Sequence, residues 1–168
     1  AIQARGGKFI VVDPRRTETA KLADEHYFIN PGTDVYYLIG IINEIINNGW
    51  LKLGHLETVT KNLDEFLNSV PEISLEEISN ITGISSTAIQ QTAKEFSESE
   101  SAVCYGRMGA CTQKFGGTVH WLINILNIIT GNFDSPGGAM FTKPAFDTLM
   151  PKSRGHYNKG QSRVRNLP

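Results

Sequence analysis

The stretch Phe9-Ile-Val-Val-Asp-Pro-Arg-Arg-Thr-Glu-Thr-Ala20 sets a carboxylate, a rigid proline and two guanidiniums directly after a run of β-forming apolar residues. Pro14 forbids further ladder pairing and Thr17 can cap a following helix, so Asp13 falls at the carboxyl end of a strand. Open α/β sheets place their ligand crevice there. Asp13 can accept both hydroxyls of a ribose, and Arg15 or Arg16 can meet a phosphate with a fixed fork of donors. The same residues also fit a plain strand-end turn, with Asp13 accepting a local backbone N–H and both arginines solvated. No glycine-rich phosphate loop precedes them, and on spacing alone the two readings stand level.

Three further groups carry chemistry. In Pro31-Gly-Thr-Asp34, Thr33 or Asp34 suits a helix cap; the Asp34 carboxylate, with Thr33 alongside, also suits the paired N–H donors of a guanine edge. Gly106, Gly109, Gly116 and Gly117 permit close backbone approach to a flat or phosphorylated ligand, with Arg107, Lys114 and Gln113 supplying charge and an amide; loop geometry alone explains the same glycines. Cys111 has no Cys or His at a useful spacing, His120 being nine positions away, and reads as a small hydrophobe rather than a nucleophile or metal ligand. His120, Asn124, Asn127 and Gly131 draw a polar line along an otherwise apolar helix and need partners, from neighbouring backbone, water, a cofactor or another domain.

The elements that must position these residues follow from pattern. Residues 1–50 read as an α/β part, with a strand ending at Val12, a short helix from Thr17 and a second extended segment at residues 27–30. A buried helix then covers residues 35–47 despite its β-branched content. Residues 51–100 read as a helical insertion, in which Ser74-Leu-Glu-Glu77 is a capping-box pattern and Thr82-Gly83 a stop. Residues 101–142 return to the α/β part through a strand at 101–105, glycine-rich loops and an apolar helix over 118–130; residues 143–168 form a basic, extended tail. A lone strand and helix make no sheet core, so later strands or missing sequence must complete it.

Composition narrows the function classes. The 168 residues hold 16 Lys and Arg against 17 Asp and Glu, a formal net charge of -1, which argues against a general nucleic-acid or anionic-membrane binder. No apolar run reaches membrane-spanning length, and two cysteines, Cys104 and Cys111, make neither a disulfide framework nor a zinc spacing. The alternative from another class is a helix-turn-helix module over residues 74–96, serving nucleic acid or protein interaction. Its second helix offers one lysine, Lys94, amid Glu76, Glu77, Glu95, Glu98 and Glu100, whereas phosphate binding calls for several basic contacts.

Three segments in this order and separation, residues 11–20, Pro31-Gly-Thr-Asp34 and Thr130-Gly-Asn-Phe-Asp-Ser-Pro-Gly-Gly138, resemble the molybdopterin oxidoreductase, or dimethyl-sulfoxide-reductase, family. That family includes formate dehydrogenases and nitrate reductases, and the resemblance covers roughly residues 6–141. It implies a fragment of a Rossmann-like three-layer α/β sandwich with a helical insertion. It further implies help in binding one guanine dinucleotide arm of a bis(molybdopterin guanine dinucleotide) cofactor that carries Mo or W. By resemblance, Asp13 is the ribose carboxylate and Arg15 or Arg16 lies near phosphate. Thr33 and Asp34 contact the guanine end, and Gly106, Arg107, Gly109 and Gln113 belong to the loop approaching the pterin.

The family's Cys-rich [4Fe-4S] segment, its metal-ligating residue and its carboxy-terminal cap do not match any part of these residues. The chain is therefore expected to be a central piece, inactive alone, whose cluster lies upstream. Its expected partners are the remaining domains of the polypeptide, an electron-transfer subunit or a cofactor-delivery chaperone. Any export signal would also lie upstream, so neither cytoplasm nor periplasm is assigned. The tail after Phe141 departs from the formate dehydrogenase continuation, which leaves the substrate subclass open.

Overall fold

The computed structural model describes residues 2–141; the basic tail expected over 143–168 lies outside the described residues. Strands β1 (Ile10–Val12) and β2 (Glu25–Tyr27) pair in parallel, Ile10 opposite Glu25 and Val12 opposite Tyr27. Parallel neighbours need a crossover connection. It runs through α1 (Glu18–Lys21), one turn whose start is capped as expected: the Thr17 hydroxyl oxygen accepts the Ala20 N–H at 3.2 Å.

Among the described residues the sheet stops at these two strands, so the fold is α/β with a small parallel sheet rather than a complete three-layer sandwich. The expected return strand over residues 101–105 does not form: this segment is no strand and pairs with neither β1 nor β2. Side chains take its backbone bonds instead. Asn132 Oδ1 accepts the Ala102 N–H at 2.9 Å, while Asn127 accepts from the Cys104 N–H and donates to the Cys104 carbonyl, each at 2.9 Å. Asparagine amides thus mimic a neighbouring strand edge on one side of this segment.

The core is helical. It is built on α2 (Asp34–Asn47), which packs against α4 (Leu75–Thr82), α5 (Ser86–Glu98) and α7 (Gly116–Ile129). Two shorter helices, α3 (Leu63–Ser69) and α6 (Met108–Cys111), fill the connections. Ile42 and Ile45 of α2, Ile78 of α4, Ile89 and Ala93 of α5 and Ile129 of α7 are all fully buried in one cluster. Each such isoleucine contributes about 1.5–3 kcal/mol by burial, enough to hold a β-branched sequence helical against its modest propensity. Gly40 makes the close approach feasible, since a Cβ there would come within 3.2 Å of both Ile78 and Ile89.

Caps set the helix limits where the sequence placed them. Ser74 and Ser85 accept the Glu77 and Ala88 N–H groups, each at 3.2 Å, and α4 ends at Gly83 in the left-handed region, φ 77°. Two links tie the small sheet to this core. The Asn30 N–H donates to Thr82 O at 2.7 Å and its Nδ2 to Ile81 O at 2.9 Å. Lys8 Nζ lies 2.5 Å from both Glu25 of β2 and Glu95 of α5.

Candidate functional site

Asp13 and the Pro31–Asp34 turn leave the sheet at the same edge, because β1 and β2 are parallel and both segments follow their carboxyl ends. Asp13 is partly exposed and its N–H still donates to Tyr27 O at 3.1 Å. Its Oδ1 accepts the Arg15 N–H at 2.7 Å, which is the strand-end turn allowed by sequence; Oδ2 makes no hydrogen bond among the described residues. Arg15 and Arg16 are exposed and form no ion pair among those residues. The guanidiniums therefore extend into solvent beside a carboxylate with one oxygen uncommitted.

His26, which the sequence analysis did not single out, stands beside Asp13. Its Nε2 lies 3.0 Å from Asp13 O, and its ring packs against Phe28 at 4.2 Å between centroids, tilted by 57°. Tyr27, Phe28, Gly83, Ile84, Ser85 and Ala88 line an open recess of about 230 Å³ beside it, between the exit of β2 and the start of α5. The signal was alternation: in a strand, His26 and Phe28 share one face.

The second cluster joins segments far apart in sequence. Gln113 Nε2 donates to Asp34 Oδ2 at 2.8 Å and to Gly109 O at 3.2 Å. Both acceptors fix the amide's orientation, leaving Gln113 Oε1 buried with no donor. A Cβ at Gly32 would stand 3.9 Å from that oxygen, so the turn and the loop face each other closely. Thr33 stands at the N-cap position of α2 as expected, but its side chain makes no capping bond; its hydroxyl donates to Asn30 O at 2.7 Å and shapes the turn. Asp34 is the first residue of α2 and uses its carboxylate on Gln113 rather than on the helix start. Arg107 and Gly109 are exposed on the loop, and no atom would obstruct a Cβ at Gly109 within 4 Å.

The polar line of α7 divides into three separate roles. Asn127 is buried and serves residues 101–105, Asn124 is exposed, and His120 turns toward Cys111. Cys111 Sγ lies 2.7 Å from His120 Nε2, which corrects the expectation that no histidine stands at a useful spacing. The helix pair α4–α5 directs Ile78, Ile89 and Ala93 into the core, and Lys94 sits 4.0 Å from Glu98 on its exposed side. No helix among the described residues is long and apolar enough to cross a membrane, nor do three or more His, Cys, Asp or Glu side chains converge there as a metal centre.

No family model matches the chain. Curated relatives do. The alpha subunit of F420-dependent formate dehydrogenase 2 from Methanococcus maripaludis is 32% identical over 133 residues, 79% of this chain and 20% of the relative. Formate dehydrogenase H of Escherichia coli is also 32% identical over 133 residues, 78% of this chain and 18% of its own length. Among solved structures, acetylene hydratase from Pelobacter acetylenicus superposes with a TM-score of 0.74 at 30% identity, covering 80% of this chain and 19% of that one. The chain thus spans about a fifth of the length of the relatives it matches. By sequence and by fold it belongs to the molybdopterin oxidoreductases, the dimethyl-sulfoxide-reductase family.

Proposed function

We propose that this stretch binds one guanosine-diphosphate arm of a bis(molybdopterin guanine dinucleotide) cofactor within a larger oxidoreductase of the formate dehydrogenase or nitrate reductase kind. The observation that carries the reading is the Asp34–Gln113 junction. It joins the strand-end turn to the glycine loop and retains an acceptor, Gln113 Oε1, buried without a donor. A group fits there if it brings N–H donors on a flat edge, and guanine does. The second carboxylate oxygen of Asp34 and Gln113 Oε1 would accept such donors, with Thr33 holding the turn. Asp13 would take the ribose hydroxyls through its uncommitted oxygen, and Arg15 or Arg16 the diphosphate.

When bound, the cofactor supplies two-electron redox chemistry at a molybdenum or tungsten centre. The residues of this stretch would position that cofactor and neutralise its charge. In the whole polypeptide, residues 1–50 and 101–142 would form part of a Rossmann-like three-layer sandwich, with 51–100 as its helical insertion. The metal ligand and a [4Fe-4S] cluster would be carried upstream. An electron-transfer subunit or a cofactor-delivery chaperone would be the outside partner, and the isolated chain would turn over no substrate.

Calorimetric titration of the chain with GDP and ADP tests the reading. Heat with GDP but not ADP is expected, with affinity falling about 10–100-fold in Asp34→Ala, the equivalent of one lost charged hydrogen bond. Asp13→Ala should weaken GDP comparably. Equal binding of both nucleotides, or GDP binding unchanged in Asp34→Ala, would sink the guanine assignment.

A further inference from the structure

Cys111 and His120 meet because the backbone between them is folded back tightly. Helix α6 ends at Cys111, the Gly116 N–H donates to Gln113 O at 3.0 Å, and α7 starts at Gly116. A Cβ at position 116 would lie only 1.9 Å from Cys111 O, so glycine alone allows this approach. Four residues later His120 comes round on the same face of α7 and reaches the thiol with Nε2 at 2.7 Å. Cys111 is exposed and His120 half-buried. The other cysteine differs in every respect: Cys104, half-buried as a residue, has its thiol pushed up to about 12 by burial and no side-chain base beside it.

Charge near Cys111 has one sign along the chain. No Asp or Glu occurs between Glu100 and Asp134, while Arg107 and Lys114 flank the cysteine. Asp34, whose carboxylate reaches this loop, is engaged with Gln113. An exposed thiol, an adjacent imidazole and flanking cations together favour an anionic electrophile.

We propose that Cys111 is a thiol-modification site, with His120 as its base and anionic small-molecule disulfides as its substrate class. The Cys111 sulfur attacks one sulfur of the disulfide, and His120 Nε2 takes the thiol proton. The disulfide bond breaks as the new S–S bond forms, and its electron pair leaves on the departing thiolate, which recovers the proton from His120. One S–S bond forms and one breaks, so no further oxidant enters. The adduct would sit two residues before Gln113 and so load the loop that bridges to Asp34, whatever ligand that junction takes.

Glutathione disulfide is the probe, followed by peptide mass spectrometry of the 168-residue chain. Cys111 is expected to react roughly tenfold faster than N-acetylcysteine in the same solution, because an unassisted thiol is only a few per cent ionised near neutral pH. Cys104 should stay unmodified. His120→Gln should slow Cys111 to the free-thiol rate with Cys104 still silent, and cystamine, a cationic disulfide, should react more slowly than glutathione disulfide. Cys111 no faster than N-acetylcysteine would overturn the proposal, as would an unchanged rate in His120→Gln or a preference for cystamine. If the variant exposes Cys104, its fold has opened, and the wild-type comparison with the free thiol decides alone.

Discussion

The helical side of this chain is closed and the strand-end side is open. Around α2, isoleucines from four helices are fully buried, and the polar groups among them are answered: Thr82 donates to Ile78 O at 2.7 Å and accepts the Ile84 N–H at 3.2 Å. At the strand ends, β1 and β2 are only half-buried, Arg15 and Arg16 reach solvent, Tyr105 and Met108 are 72% and 69% exposed, and Gln113 Oε1 lacks a donor. A two-stranded sheet is marginal by itself in water. Stability therefore belongs to the helices, and the strand ends are free to present carboxylates, guanidiniums and an amide to a ligand. The two sides meet through Asn30 and Lys8.

Core truncation tests that division most severely. Ile42→Ala should cost about 2–5 kcal/mol, since Ile42 has no exposed surface and its neighbours on four helices cannot all collapse inward. Val12→Ala, removing two half-buried carbons from β1, should cost about 1 kcal/mol. Urea unfolding of both variants compares them directly. Equal losses would mean that the sheet shares the core's stability and the division is false.

Two amides sharpen the comparison further. Asn127 is 1% exposed and makes three bonds, to Cys104 N, Cys104 O and Ile123 O. Asn127→Ala strands the Cys104 groups and should cost about 1–3 kcal/mol. Gln113→Ala removes an orphaned acceptor together with its donor bonds, so its loss should stay within about 0.5 kcal/mol, the range of ordinary surface changes. The same variant should lose GDP affinity. A large drop in urea midpoint for Gln113→Ala would make that residue structural and weaken the ligand reading.

Much of the closed side was legible, because periodicity and caps are local signals. Ser74 and Gly83 bound α4 where the capping pattern placed them, and the apolar faces of α2 and α7 read directly from their spacing. Asp13 at a strand end was legible for the same reason. What failed was long-range. Residues 101–105 carry a strand's alternation, yet which partner pairs with them depends on Asn127 and Asn132, 23 and 30 positions beyond the residues they bond. The Cys111–His120 contact was invisible to spacing rules, which assume a regular helix or strand between the two residues, whereas here a turn reverses the chain at Gly116. The Asp34–Gln113 bridge spans 79 positions, beyond the reach of any spacing rule.

The smallest expected effect lies at the seam between the two sides. Lys8 joins Glu25 and Glu95, and all three side chains are about one-third exposed, so solvent screening limits the link to about 0.5–1 kcal/mol. Hydrogen bonding from Lys8, then from the Tyr27 hydroxyl, holds Glu25 below the ordinary glutamate value of 4.5. Glu95 is held below it first by the Gln91 amide and then by Lys8. Partial burial opposes the Lys8 charge, but the two carboxylates outweigh it and raise the ammonium above its ordinary 10.5. The signs then fix the pH window. Depressed carboxylates add stability that is complete above 4.5 and is lost as pH falls through their lowered values; the ammonium, raised by the same two carboxylates, stays charged below 10.5, so on the acid side the link is lost only as they take up protons. Lys8→Met should accordingly lower the urea midpoint at pH 7 by a small, measurable amount, leaving Glu25 and Glu95 without their shared counter-charge. The gap between variant and wild type should narrow as pH falls below 4.5 and through the carboxylates' lowered values. A gap that stays the same size all the way down to acid unfolding would show that Lys8 acts through its apolar stem, and that the seam is packed rather than charged.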